Sequence, residues 1–427
     1  MNATITSGHP LTGNIALQGD KSISHRAVMF SALADGVSEI EGLSLGEDVR
    51  STISCLKQLG IIINSTDGVV KVYGKGLLGL KPPDRVLDAG NSGTTMRLLS
   101  GVLAGQNFAS EITGDASLRK RPMKRVIEPL QQMGADISGC DGQYAPLTIN
   151  GKMLSNTEHR LKIASAQVKS CLLLAGMYCQ GMTKIIEPFK TRDHSERMLS
   201  YIGANISIHE NIIQIEGLPQ LLAASIYVPG DISSAAFFVV AALLVGQSNL
   251  TIKDVGINPT RTGLVDVLSQ MGASIAFSDK RTRNYETMAD LNVASSKLKG
   301  MTISGGIIPR IIDELPILAV AATQAKGVTV IKDASELRVK ETDRIRATVE
   351  NLRRMGAQVE EKPDGMIIQG KQKLHGAVVD SFDDHRIAMA FAIAGLLAEG
   401  ETEIRNIDCV DISFPGFFHQ LEELCYD

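Results

Sequence analysis

Hydrophobic and polar positions follow one recurring order along the chain. Six stretches rich in Ala, Leu and Val each close on a glycine and predict helices at 26–36, 94–105, 167–181, 234–246, 313–327 and 385–400. None has a strong polar face, so all six are expected to be buried. The closing glycines suit the C′ position of a helix. A short strand follows each glycine, at 38–41, 110–113, 183–186, 249–252, 328–331 and 403–405. Next come a polar loop and a charged amphipathic helix ending in Leu-x-x-Met/Ile-Gly-Ala. That string stands at 130–135, 199–204, 268–273 and 352–357, with a partial copy at 56–60. Alternating strands close the unit, as at 136–138 and 147–150, or 206–209 and 212–216.

The unit reads βαβαββ and occurs six times, the last copy cut short at 421–427. Its period of about 73 residues is too long for a solenoid and suits a supersecondary unit. The pattern predicts an α/β (α+β) protein of two similar domains, three units in each. Gly, Asp and Ser cluster at 19–22 and 229–234, which marks both as crossing points. One domain is then 21–229, and the other combines 1–20 with 230–427.

Composition narrows the function classes. Of 427 residues, 44% are apolar and 21% charged, which suits a folded chain and not a disordered one. A net charge of −4, 4% aromatics and no Trp give no reason to expect nucleic acid or an acidic membrane as partner. Residues 1–13 lack the basic and apolar regions of a signal peptide. The longest apolar run, 235–245, is too short to span a bilayer. The six cysteines form no CxxC pair, so reduced core residues in a cytoplasmic protein are expected.

Chemistry concentrates where the apolar helices begin. Ser, Asp and Asn there are ordinary N-caps. Capping does not call for Lys21, Arg26, Arg97, Lys169 or Arg386, because cations in a first turn oppose the helix dipole. Their repetition points to bound anions. Gly90-Asn-Ser-Gly-Thr-Thr95 has the composition of a phosphate cradle, although it matches neither a P-loop nor Gly-x-Gly-x-x-Gly. The loops Leu118-Arg-Lys-Arg-Pro122, Thr191-Arg-Asp-His-Ser-Glu196 and Leu337-Arg-Val-Lys-Glu-Thr-Asp-Arg344 add further cations and carboxylates. Each alone could be a solvated charged turn. Asp313 and Glu314, read as a helix start, and Glu341 in its cation-rich loop are the carboxylates placed for proton transfer.

These motifs resemble, in order and over nearly the whole chain, those of the 5-enolpyruvylshikimate-3-phosphate synthases. The segments that carry the resemblance are Asp20-Lys-Ser-Ile-Ser-His-Arg26, Leu87-Asp-Ala-Gly-Asn-Ser-Gly-Thr-Thr-Met-Arg97, Arg119-Lys-Arg-Pro122, Ser165-Ala-Gln167, Arg338-Val-Lys-Glu-Thr-Asp-Arg344 and Asp383-Asp-His-Arg386. The resemblance implies the enolpyruvyl transferase fold, an inside-out α/β barrel in two domains with the active site in the interdomain cleft. It implies transfer of the enolpyruvyl group of phosphoenolpyruvate to the 5-hydroxyl of shikimate 3-phosphate, without metal or organic cofactor; a monomer is the default expectation. Lys21, Ser22, Arg26, Ser165, Ala166, Gln167, Arg192, Asp313 and Lys340 would hold shikimate 3-phosphate. Lys21, Gly93, Arg121, Gln167, Arg344 and Arg386 would hold phosphoenolpyruvate. Asp313 would take the hydroxyl proton and Glu341 would serve the methylene carbon, with Lys21 and His385 near the transferred group.

Three positions depart from part of that family: Leu98 where some members have Pro, Ala166 where some have Ser, and Ile412 where some have Lys. The rival acceptor is a UDP-amino sugar. Its enzymes resemble this chain less, because a cysteine loop would be expected near 118–122, and Cys140 lies beyond it.

Overall fold

The computed structural model describes residues 1–426. Six apolar helices run Lys21–Leu33, Gly93–Ala104, Ala166–Gly176, Ile232–Leu244, Leu315–Gln324 and His385–Leu396. Burial reaches around the whole circumference: every residue of Ile232–Leu244 except Leu244 is buried. Such helices can be stable only when covered on all sides, and sheets and neighbouring helices pack against each of them.

Each unit is a small sheet wrapped on its helix. In one, Leu87–Asp88 pairs parallel with Ala109–Thr113, and the helix Gly93–Ala104 makes the crossover that parallel pairing requires. Ala109–Thr113 then pairs antiparallel with Tyr144–Asn150, which pairs with Asp136–Cys140. Among the described residues there are five four-stranded sheets of this order and one of three strands. The three-stranded sheet is the shortened sixth copy. Asn2–Ile5 completes it by pairing with Thr402–Arg405, and the helix Phe417–Tyr426 follows. Asp427, the end of that copy in the sequence, lies outside the described residues.

Two units take their first strand from a distant part of the chain. Ser225–Tyr227 lies parallel to Glu39–Glu41, and Thr12–Ala16 lies parallel to Asn249–Lys253. The chain accordingly groups into two compact units. One is Gly19–Val228 with Arg283–Glu286; the other is Met1–Gln18, Pro229–Thr282 and Thr287 onward. Each has its own continuous hydrophobic core.

The glycine that closes each apolar stretch is not a left-handed C′ residue; Gly246 stands at C′, after the C-cap Val245, but without a positive φ. Gly105 is itself a C-cap, with φ −94°, and four of the helices stop short of their glycine: the first ends at Leu33 with an extended Ala34, and Gly36 already lies in the strand Asp35–Glu41 with φ +107°. The left-handed C′ glycine belongs to the outer helices. In Leu130–Ala135, Ala135 N–H donates to Leu130 C=O at 3.0 Å and Gly134 N–H to Gln131 C=O at 2.9 Å. That is the bond pair of a Schellman motif, with Gly134 at φ +84°. Matching pairs close at Gly60, Gly203, Gly272 and Gly356. The recurring string is a helix stop, and its Leu and Met/Ile side chains are buried beneath it.

Close helix approach sets the frame of the first unit. A Cβ added at Gly101 would lie 2.3 Å from the carbonyl oxygen of Cys171, on the facing helix Ala166–Gly176. Gly101→Ala should therefore force the two helices apart and cost about 3 kcal/mol, the upper range for overpacking. A urea melt unchanged from the wild type would contradict this close contact.

Candidate active site

Side-chain caps hold five of the six apolar helix starts, so the ordinary reading of their Ser and Asp residues is correct as far as it goes. Asp20, Ser92, Ser165, Asp231 and Asp384 accept from backbone N–H groups of their own first turns. Asp313 and Glu314 do not cap. The predicted helix 313–327 begins only at Leu315, with Pro316 in its first turn, and Glu314 makes no side-chain cap bond. Both carboxylates are thus left to contact other side chains.

In the unit Gly19–Val228, three capped starts are tied together by polar side chains. Arg97 Nη1 donates to Gln167 Oε1 at 2.6 Å, and Gln167 Nε2 donates to Thr94 Oγ1 at 3.0 Å. Arg26, 3% exposed, donates from Nε to Ser195 Oγ at 2.7 Å and from Nη2 to Ser170 Oγ at 2.8 Å. Its Nη1 donates to the Ser22 carbonyl at 2.9 Å. Lys21 Nζ donates to Asp48 Oδ2 at 2.8 Å. Of the cationic loop 118–122, Arg119 and Lys120 are exposed, as a solvated turn would have them. Arg121 instead turns inward and donates to Asn91 Oδ1 at 2.6 Å and to Ser117 Oγ at 3.1 Å. A Cβ on Gly93 would stand 2.7 Å from Arg97 Nη1 and 3.7 Å from Arg121 Nη1, so the absent side chain leaves room for two guanidinium groups. Ser165 caps its helix, Ala166 begins it, and Arg192 is half-buried in its loop.

Lys169 departs from the anion-binding expectation. It is buried against Glu187 Oε2 at 3.0 Å and Glu196 Oε1 at 2.7 Å. Burial opposes its charge, but the Glu196 and Glu187 carboxylates outweigh that and raise its pKa. Lys169 is an internal ion-pair residue.

The other unit gathers Asp313, Glu314, Lys340, Glu341, Arg344, Asp384 and Arg386. Arg344 is 1% exposed and sits at the centre. It grips Asp384 through Nε at 2.7 Å and Nη2 at 3.2 Å. It also donates to Asp313 Oδ1 at 3.2 Å and Glu341 Oε2 at 2.7 Å. Burial works against its charge, while Asp384, Glu341 and Asp313 push its pKa above the ordinary arginine value. Lys340 Nζ lies 3.2 Å from Asp313 Oδ1. Arg386 Nη1 donates to the Asp313 carbonyl at 3.0 Å and lies 3.5 Å from Glu314 Oε1, which also accepts the Ser233 hydroxyl. His385 begins the last apolar helix and is buried. Among the described residues no three His, Cys, Asp or Glu side chains form a group that could hold a metal ion.

Sequence reasoning missed Ser170, Ser195, Asn91 and Asp384 as partners of these cations. Asp384 was visible as a cap, and Asn91 within the glycine-rich loop. Ser170 and Ser195 carried no signal, since their contacts with Arg26 span 144 and 169 positions. The cysteines are buried as expected except Cys140, which is exposed on its strand. Burial pushes the thiols of Cys55, Cys171, Cys409 and Cys425 up to about 12.

A family model described as EPSP synthase (3-phosphoshikimate 1-carboxyvinyltransferase) matches residues 5–421. A protein of Bacillus cytotoxicus named 3-phosphoshikimate 1-carboxyvinyltransferase is 50% identical over 99% of this chain and 100% of its own length. Its namesake from Desulforamulus reducens is 51% identical over 99% of both chains. A solved EPSP synthase structure from Acinetobacter baumannii is similar with a TM-score of 0.89 and 42% identity, covering 99% of this chain and 98% of that one.

One prediction concerns His25, beneath the first cluster. Its Nδ1 is 2.7 Å from Thr52 Oγ1, which is 2.6 Å from Thr95 Oγ1. Burial, then Lys21 and Arg26, hold its pKa well below the usual 6.5. Below pH 6.5 the unfolded chain therefore takes up a proton that the folded state refuses, so stability falls on acidification. The urea midpoint should drop between pH 7.5 and 5.5 by more in the wild type than in His25→Asn, and equal drops would contradict a buried neutral imidazole.

Proposed function

We propose, for a chain that belongs to the EPSP synthase (3-phosphoshikimate 1-carboxyvinyltransferase) family, that it transfers the enolpyruvyl group of phosphoenolpyruvate to the 5-hydroxyl of shikimate 3-phosphate and releases phosphate. This is a step of the shikimate pathway to aromatic amino acids. The observation that carries the reading is the full-length match together with buried cations at the positions of the family motifs. Both substrates bear a phosphate and a carboxylate, so four anionic groups need partners. A charge-assisted hydrogen bond contributes about 1.5–3 kcal/mol. Arginine supplies such bonds in pairs and stays charged when buried.

Lys21, Ser22, Arg26, Ser165, Ala166, Gln167, Arg192, Asp313 and Lys340 are the proposed contacts of shikimate 3-phosphate. Lys21, Gly93, Arg121, Gln167, Arg344 and Arg386 are those of phosphoenolpyruvate. The oxygen of the acceptor hydroxyl bonds to C2 of phosphoenolpyruvate. Its proton passes to Asp313, and Glu341 donates a proton to the methylene carbon. Loss of phosphate and of one methyl proton then restores the double bond, with Lys21 and His385 beside the transferred group. Asp313 has Lys340 and Arg344 at 3.2 Å and Arg386 at 4.0 Å. Substrate anions that draw Lys340 and Arg386 away would make Asp313 a stronger base when the hydroxyl is present. The reading is of a monomeric cytoplasmic enzyme without metal; no described helix is long and apolar enough to cross a membrane.

The deciding assay is phosphate release from phosphoenolpyruvate by chelator-treated protein, with shikimate 3-phosphate or UDP-N-acetylglucosamine as acceptor. Release with shikimate 3-phosphate alone is expected, and release with the amino sugar alone would overturn the acceptor. Asp313→Ala should lower kcat by about a thousandfold, within the range for a lost general base, while shikimate 3-phosphate still binds. Near-normal turnover would remove Asp313 from the mechanism. Arg386→Lys loses the planar fork and should raise KM for phosphoenolpyruvate by about tenfold; an unchanged KM would withdraw that contact.

A further inference from the structure

Ser170 sits in the second turn of an apolar helix, where a serine ordinarily satisfies itself by donating to the carbonyl four residues back. It does so, to Ala166 at 2.7 Å. That bond spends its one hydrogen, yet its oxygen also receives Arg26 Nη2 at 2.8 Å and lies 2.7 Å from Ser195 Oγ. The consistent assignment has the Ser195 hydroxyl donating to Ser170 while Ser195 accepts Arg26 Nε at 2.7 Å. Two adjacent donors of one guanidinium are thus met by two linked hydroxyl oxygens, both buried. These bonds orient the plane of Arg26 without cancelling its charge.

Ser195 depends in turn on the short helix His194–Tyr201, which the segment Arg283–Glu286 holds at both ends. At its start, His194 Nδ1 meets Glu286 Oε1 at 2.6 Å, with both side chains buried. At its end, Asn284 Nδ2 donates to Tyr201 Oη at 2.9 Å, and the rings of Tyr285 and Tyr201 lie 5.5 Å apart. Asn284 itself is fixed by accepting from Tyr227 N–H at 3.0 Å. Arg283 anchors the segment to Glu41 at 2.9 Å.

We propose that Ser195 and Ser170 are positioning residues that set the guanidinium plane of Arg26 for shikimate 3-phosphate, with Glu286 holding the helix that carries Ser195 in register. The inference rests on the assignment of Arg26 made above. Neither serine need touch the substrate. Each acts through Arg26, so its loss affects one substrate selectively.

The test compares steady-state kinetics of wild type, Ser195→Ala, Ser170→Ala, Ser195→Thr and Glu286→Gln. Each alanine variant should raise KM for shikimate 3-phosphate by about tenfold, the worth of a misdirected charge-assisted bond. Both kcat and KM for phosphoenolpyruvate should stay within about threefold of the wild type, because no group placed at the reacting atoms has changed. Ser195→Thr keeps the hydroxyl and should recover the wild-type KM. Glu286→Gln should move the same KM in the same direction by a smaller factor. A loss of kcat with both KM values moving together, or threonine no better than alanine, would overturn the positioning role. If Ser195→Ala does not fold, Ser170→Ala and Glu286→Gln decide by the same criterion. Calorimetry with shikimate 3-phosphate alone separates the two readings: wild type that binds without turning over removes the assigned reaction, whereas Ser195→Ala of unchanged affinity removes the positioning role.

Discussion

A helix that is apolar on every side has no face to offer to water, and the architecture of each compact unit follows from that constraint. Three such helices pack with one another and against three sheets. Every lateral surface is taken, so polar chemistry is left to the helix ends. The first-turn N–H groups need acceptors there, and Asp20, Ser92, Ser165, Asp231 and Asp384 supply them. Capping and ligand binding are therefore not alternatives. Caps settle the backbone, and the cations beside them are held by side chains of other elements.

Those cations are stabilised in three ways. Lys169 is enclosed by two carboxylates deep in its unit and belongs to the core. Removing one partner of such a buried pair costs about 3–5 kcal/mol, which accounts for an ion-pair residue with no catalytic task. Arg344 is also enclosed by carboxylates, but Asp313 and Glu341 are groups proposed to move protons. Its charge and their proton affinity are coupled, and any anion that redirects one of them alters the others. Arg26 is oriented by hydroxyls and a carbonyl, which give direction while its charge stays undiminished by those bonds. Lys169 and Arg26 looked alike in the sequence as cations at the starts of apolar helices, and Arg344 stood in a cation-rich loop.

The glycines show how a pattern can be recognised and its meaning still depend on structure. Leu-x-x-Met/Ile-Gly-Ala is local chemistry: a left-handed residue that only glycine adopts cheaply, with Leu and Met or Ile folded under the last turn. Every bond that defines it lies within six consecutive residues, so the string could be read. The glycines after the apolar helices had a similar appearance but another cause. Gly36 turns the chain from a helix that has already ended into a strand, and Gly105 is a C-cap in the right-handed region.

Element types, their order, the βαβαββ period and the cationic character of the helix starts were legible in the sequence, because each rests on side-chain periodicity or on neighbours within a few positions. Asp313, Lys340, Glu341, Arg344 and Arg386 could be named, although nothing local required them to converge on one carboxylate cluster. Which cation is enclosed by carboxylates and which is held by hydroxyls was decided by tertiary structure: Lys169 against Arg26 turns on Glu187 and Ser195, residues brought in by a separate helix and loop. The pairing of Ser225–Tyr227 with Glu39–Glu41 and the clamp of Arg283–Glu286 on His194–Tyr201 were likewise invisible beforehand. Burial and long-range hydrogen bonding assign partners by spatial proximity, and a linear pattern encodes proximity only as far as one helix turn or one strand pair extends.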